Sequence, residues 1–461
     1  MRVGIIGCGF VFDKYMATWD QHPNLLIVGL TDIDQRRVDA VTRHYGFQSF
    51  SSTEALLADP TIDIVVNLTP IRAHYAVTKA ALEAGKHVYS EKPLVTDMRQ
   101  ARELMALAES RGLRVSCAPS NPLGATSQSM WKAVVDGAVG DPRVVYAEFD
   151  AGPSYLVNAS EAQQTKSASS FPYLSQYSTV SVTGAPFPYL KEFEMGCTYE
   201  HVGYHLSWMC AMFGPVRSVM AFSKQIMPDK TDLSLDPPDT PDLSVAVLDF
   251  HSGVVGRVTC SLAGQRDTSM LIIGSRGILY AESYGDYRCP VYLETFTKLS
   301  IKALYVKAVR ESRVLRWLFG IGRRRVPLVS TRSAGSPESI ANSVPWWAVR
   351  RRLARAKLNE LNRQDKCIGI AELAESIETG RPTFPSHDFT LHLTELTIAI
   401  QAAGTPGQAK LMETTFEPLD LPPLTRESGI DYKDYAKSTL RTRIMEKLFD
   451  LAAQLGSHKR A

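Results

Sequence analysis

The chain has 461 residues, 44% of them hydrophobic and 21% charged, with a formal net charge of +3. That length exceeds a single core and implies two domains with room for an appendage, at the ordinary composition of a globular protein. No run approaches the roughly 18 uninterrupted apolar residues that a membrane span needs, and the seven scattered cysteines, with no C-x-x-C, imply a reduced, cytoplasmic chain without a zinc ribbon.

The opening MRVGIIGCGF reads as a strand and not as a secretory leader. RVGIIG is followed at once by Gly7-Cys8-Gly9-Phe10-Val11-Phe12, then by room for a helix, then by the apolar run LLIVGL ending in Thr31-Asp32. Strand, glycine turn, helix, strand and an acid about 20 residues on form the pattern of a dinucleotide site. Gly7 permits the tight turn. Gly9 lets a pyrophosphate approach the backbone at Phe10 and Val11, where the helix begins. Asp32 would accept from the ribose hydroxyls and repel a 2′-phosphate, so NAD is expected over NADP. Phe12 stands where a small residue is usual, a departure that bears on helix–strand packing.

The alternation continues through IDIVVNLTP, HYAVTKAALEAG, KHVYSEKPL, MRQARELMALAESRG and LRVSCAPS. Strands alternating with helices of this length imply a parallel, doubly wound sheet.

Farther along, YEHVGYHL places His201 and His205 four apart, on one face if helical. A metal would need a third ligand, and Glu200 and Cys197 are poorly placed for it, so no metal is expected. An imidazole suits proton transfer near neutral pH, and a lysine beside a reacting oxygen suits alkoxide stabilisation. Glu200, one residue from His201, should point about 100° away on an α-helix.

Taken in order, NLTP with His74 four residues after Pro70, GKHVYSEKPL with Glu91-Lys92-Pro93, GAVGDPRVVYAEF, GCTYEHVGYHLSWMCAMFGPV, SVAVLDFHSGVVGRVTCS and IIGSRGILYAE resemble the Gfo/Idh/MocA oxidoreductases. These are relatives of glucose–fructose oxidoreductase and inositol dehydrogenase. The resemblance covers about residues 1–285 and 366–420. It implies an α/β chain: an N-terminal Rossmann domain (1–122), then an α+β domain (123–425) with a large, mostly antiparallel sheet, often used for oligomerisation. It also implies NAD-dependent hydride transfer at a secondary alcohol of a sugar, cyclitol or nucleotide sugar. Lys92 matches the active-site lysine and His205 the acid/base histidine. The position four residues earlier is usually Asp. Here it is His201, to which a substrate hydrogen bond is assigned. Thr69, Pro70, His74, Glu91 and Lys92 join Gly7, Gly9, Phe10, Val11 and Asp32 as cofactor-binding positions. Two other readings stand beside this one: an NAD-dependent glycosidase working by redox-neutral elimination, and a nucleotide-binding protein without turnover, motivated by the missing Asp.

Two segments lie outside the motifs. Residues 152–194 are rich in Ser, Pro and aromatics with FPYL at Phe171 and Phe187, a candidate substrate lid. The insertion at about 286–365 contains RVLRWLFGIGRRR and PWWAVRRRLARAK. From Lys302 to Lys366 there are 16 Lys/Arg against 4 Asp/Glu, leaving 35 basic and 44 acidic residues elsewhere. Basic residues beside Trp and Leu suit an anionic membrane surface or a substrate phosphate. With no recognised binding module, nucleic acid is not expected. Within 426–461, Leu440, Ile444, Leu448, Leu451 and Leu455 mark one amphipathic helix, expected to pack on the body or a second subunit.

Overall fold

The computed structural model describes residues 1–152, 180–331, 364–437 and 440–458, with side chains as far as 451. Phe171, Trp346 and Trp347 of the segments singled out above lie outside what it describes, as does the side chain of Leu455.

Five strands form the first sheet, all parallel: β1 (Arg2–Ile6), β2 (Leu26–Thr31), β3 (Ile64–Asn67), β4 (His87–Ser90) and β5 (Val115–Cys117), in the order β2-β1-β3-β4-β5. Val3, Ile5, Ile64, Val65 and Val66 are fully buried, as strands covered on both faces require. Between the strands lie α1 (Phe10–Trp19), α2 (Gln35–Tyr45), the short α3 (Thr53–Leu57), α4 (His74–Glu83) and α5 (Met98–Ser110). Asp34 and Asp97 cap α2 and α5, accepting from the amides of Arg36 and Arg99. Phe12 is completely buried, edge-on to Tyr45, so the bulky third position fills the core instead of opening it.

After α6 (Ala125–Val135) the chain enters a nine-stranded sheet. Its strands are β6 (Pro142–Asp150), β7 (Val216–Lys224), β8 (Leu243–Phe250), β9 (Val255–Ser261), β10 (Met270–Gly274), β11 (Gly277–Ala281), β12 (Val291–Thr295), β13 (Arg324–Val326) and β14 (Gln408–Leu411). The order is β13-β12-β11-β10-β6-β9-β8-β7-β14, antiparallel throughout except for β6 beside β9. The expected hairpin is present as β8 and β9, turning at Gly253 with φ of +84°. Past α7 (Tyr189–Met195) and α8 (Gly203–Phe213), residues alternate along β7 and β8, one face buried under the helix His387–Gln401 and the other outward.

The insertion begins with three short helices after β12: α9 (Lys298–Leu304), α10 (Lys307–Glu311) and α11 (Arg313–Leu318). Then α12 (Ile368–Thr379) returns to the first domain, where Ile370, Leu373 and Ala374 pack with Val3, Ile5 and Phe12. A boundary at 122 therefore leaves out a helix whose apolar face completes the first core. The chain closes with α13 (His387–Gln401), the short α14 (Pro423–Arg426) and α15 (Tyr432–Ala436), and α16 (Leu440–His458). Leu440, Ile444, Leu448 and Leu451 are exposed, so among the described residues the apolar stripe of α16 is not covered by the body, one of the two coverings expected. Among the described residues, no helix is long and apolar enough to cross a membrane.

Candidate active site

Gly7, with φ of +106°, abuts the backbone of Leu68 and Thr69; a Cβ there would sit 2.7 Å from the Leu68 carbonyl. Nothing lies within 4 Å of a Cβ built on Gly9, and no side chain caps α1. The turn is thus closed toward the sheet and open toward solvent at Gly9, Phe10 and Val11, a cradle that fits a dinucleotide pyrophosphate. At the tip of β2, Asp32 accepts from the amides of Cys8 (2.6 Å) and Asp34 (2.9 Å), which aims its carboxylate across the mouth of the turn. The described part of the 152–194 segment reaches this same place. Thr183 donates to Asp13 and accepts from Arg37, and Phe187 stands edge-on to Phe10 at 5.1 Å.

Three of the expected cofactor positions are occupied by the protein itself. The Thr69 hydroxyl donates to Asn67 Oδ1 at 2.6 Å. His74 is buried, with Nδ1 2.7 Å from the Pro93 carbonyl and Nε2 2.8 Å from that of Thr69. Glu91 is also buried, accepting from the Tyr15 hydroxyl (2.9 Å) and the Lys92 amide (2.9 Å). His74 and Glu91 thus brace the Lys92-Pro93 turn, their side chains buried and hydrogen-bonded within the protein. Pro70 opens the short turn Ile71–Ala73 that leads into α4.

Lys92 projects from the end of β4, and its Nζ lies 2.7 Å from Glu200 Oε2. Burial works against the ammonium, but Glu200, Tyr204 and Glu91 outweigh it and raise its pKa. Glu200 reaches this spot because Thr198–Val202 form a π-helical turn, not the α-helix assumed from the sequence. A wider turn holds an extra residue and changes which side chain faces the cleft. The carboxylate missing at position 201 is supplied from position 200.

The two histidines divide. His205 is fully buried. Trp208 Nε1–H donates to its Nδ1 at 2.9 Å, so its Nε2 carries the proton and donates to the Glu148 carbonyl at 2.7 Å. Burial pulls its pKa down to about 4. With both nitrogens committed, this ring has neither a lone pair nor a proton for a substrate, contrary to the role carried by the resemblance. His201 is only half-buried, stacked on Phe149 at 4.1 Å, and its ring nitrogens have no hydrogen-bond partner among the described residues. Burial and the Lys92 ammonium keep it neutral, well below the usual imidazole range.

Phe149, Tyr284 and Tyr204 continue an aromatic wall from His201. Lys366 closes the far side, 3.3 Å from the Tyr204 hydroxyl and 3.6 Å from Glu91. Asp365, accepting from the amides of Cys367 and Ile368 and paired with His22, fixes its place before α12. Sequence reasoning counted Lys366 only as part of a basic run and overlooked Tyr204 and Glu192. Burial and the neighbouring Glu200 push the Glu192 carboxyl up to about 8. An unfolded Glu titrates near 4.5, so the folded chain holds this proton more tightly and loses stability as pH rises from about 4.5 to 8. Glu192→Gln is expected to flatten that decline in urea unfolding series, and an unchanged slope would contradict the assignment.

Two family models match: an oxidoreductase family with an NAD-binding Rossmann fold over residues 1–118, and a GFO/IDH/MocA C-terminal domain over residues 175–280. D-glucoside 3-dehydrogenase of Escherichia coli (strain K12) is 33% identical over 149 residues, 32% of this chain and 42% of that protein. The chain spans half or less of the length of the curated relatives it matches. Among the solved structures that share the fold are these two. One is an oxidoreductase from Agrobacterium radiobacter in complex with NAD+, L-tartaric acid and magnesium (TM-score 0.57, 17% identity, 87% of this chain and 94% of that one). The other is a 3-ketoreductase from Actinomadura kijaniata in complex with NADP and TDP-benzene (TM-score 0.58, 17% identity, 88% and 98%).

Proposed function

Because the chain belongs to the Gfo/Idh/MocA oxidoreductase family, we propose that it transfers a hydride between a nicotinamide cofactor and a secondary alcohol or ketone of a sugar or sugar derivative. The observation that carries this reading is the Lys92–Glu200 pair at 2.7 Å, held at the end of a parallel strand where such sheets bind ligands. The missing Asp motivated a reading without turnover, and the Glu200 carboxylate beside Lys92 supports turnover over it.

The bound nicotinamide would supply the hydride acceptor or donor. Gly7, Gly9 and the first amides of α1 would hold its pyrophosphate, and Asp32 its adenosine ribose. Lys92 would donate a hydrogen bond to the substrate oxygen and stabilise the charge that grows there, while Glu200 fixes the ammonium. The neutral, open ring of His201 would accept the hydroxyl proton during oxidation. Phe149, Tyr204 and Tyr284 offer apolar faces to a sugar ring.

NAD is proposed over NADP on the strength of Asp32. Asp32→Ala is expected to weaken NAD binding by roughly 10- to 100-fold, the scale of lost hydrogen bonds to a charged group, and to narrow the gap to NADP in titration calorimetry. An NADP preference in the unaltered protein would refute this choice. A cytoplasmic setting fits the seven unpaired cysteines. A homo-oligomer formed through the outer sheet face fits the exposed Met220, Val247 and Leu411 there, and a monomer by light scattering would remove that part. The decisive assay offers NAD with a panel of pyranosides, uronates and nucleotide sugars and follows deuteride transfer from the labelled carbon. Transfer to no member despite nucleotide binding would overturn the proposed activity.

A further inference from the structure

The short helices after β12 and the last helix form one raised platform. Ala303, Val309 and Ile321 make a small core of their own with Leu315 and Phe319. Phe319 meets Phe449 of α16 at 6.1 Å, and the Arg441 guanidinium lies 4.1 Å over the Trp317 ring. The platform's outward side is apolar where a surface is normally polar: Tyr305 is 86% exposed, Val314 71%, Leu440 68% and Trp317 59%. The cations are there too. From Lys298 to Leu318 there are six Lys/Arg against one acid, Glu311. Of these six, only Lys307 has a carboxylate within ion-pair reach among the described residues, at 3.9 Å from Glu311.

A dimer interface or a packed core would take the apolar side chains but not this density of unpaired cations. Nucleic acid would take the cations but has no use for Leu440 and Val314 among them. An anionic bilayer takes both: Trp and Tyr settle at the headgroup level, aliphatic side chains enter below them, and Lys/Arg meet lipid phosphates. We propose that the platform of α9–α11 and α16 docks the protein on an anionic membrane surface, with Tyr305, Val314, Trp317 and Leu440 at the boundary. The site then works beside the bilayer, whatever its substrate.

The test uses the whole chain and vesicles of phosphatidylcholine, alone or with phosphatidylglycerol. Sedimentation with the anionic vesicles only, weakened by salt, is expected. Reversing Lys302, Arg310, Arg313 and Arg316 to Glu should lower the partition coefficient several hundredfold or more, since each basic residue near such a surface contributes about fivefold. Trp317→Ser should lower it further without changing the circular dichroism. Three outcomes would overturn the docking: no sedimentation with either vesicle, equal sedimentation with both, or capture by heparin as tight as by vesicles and indifferent to Trp317→Ser. None of these bears on hydride transfer, which is assayed in solution.

Discussion

Replacing Lys92 with Ala is expected to lower kcat by about 10²-fold or more, the scale of one lost transition-state stabiliser, with little change in nucleotide affinity. Lys92 lies beyond the glycine turn and Asp32, so its ammonium would act at the reacting oxygen and not on the cofactor's phosphates. The same change strands Glu200, a largely buried carboxylate whose salt bridge is to Lys92. Stability should therefore fall as well, and turnover has to be expressed per folded molecule. Lys92→Met combined with Glu200→Gln removes both charges at nearly constant volume, a change that buried pairs often tolerate. That double variant should fold and bind NAD yet stay inactive. Near wild-type turnover in either protein would sink the assigned role of Lys92.

The second large effect separates the histidines. His201→Ala should lower kcat by about 10²-fold, the lower range for a positioned proton acceptor, at little cost in stability, because its ring makes no hydrogen bond among the described residues. His205→Asn should do the reverse. It leaves the Trp208 indole N–H or the Glu148 carbonyl short of a partner, which costs about 1–3 kcal/mol, while kcat per folded molecule stays near wild type. Urea unfolding and initial rates on the two variants decide the matter. If His205→Asn abolished turnover in a fully folded protein, the resemblance would be the better guide to this ring than its hydrogen bonds.

The first domain was legible because its signals are local. Gly7, Gly9 and Asp32 each do a job set by neighbouring residues, and Gly85 and Gly112 end their helices in left-handed backbone as their positions suggest. Buried runs such as Ile64–Asn67 admit few other readings. The antiparallel hairpin β8–β9 was equally plain. The site was harder because its parts converge from distant places. Lys366 arrives from beyond the insertion, 274 positions after Lys92 in the chain, with nothing in its neighbours to mark it. Glu200 was misjudged for a different reason: its direction was worked out for 3.6 residues per turn, and the turn it occupies is wider. His74 and Glu91 were noticed as members of a set, and membership alone does not tell a ligand from a brace. Only burial separates the two.

The π-helical turn at Thr198–Val202 has a consequence for how relatives of this chain are compared. An alignment matches residues by column, and the column holding His201 loses its acid here. The negative charge beside Lys92 nonetheless remains, one column earlier. A lineage can thus exchange the source of that charge without a generation lacking it, if Glu200 arises before the Asp is lost. Judging such a chain inactive from one empty column would mistake a change of address for a loss of the occupant.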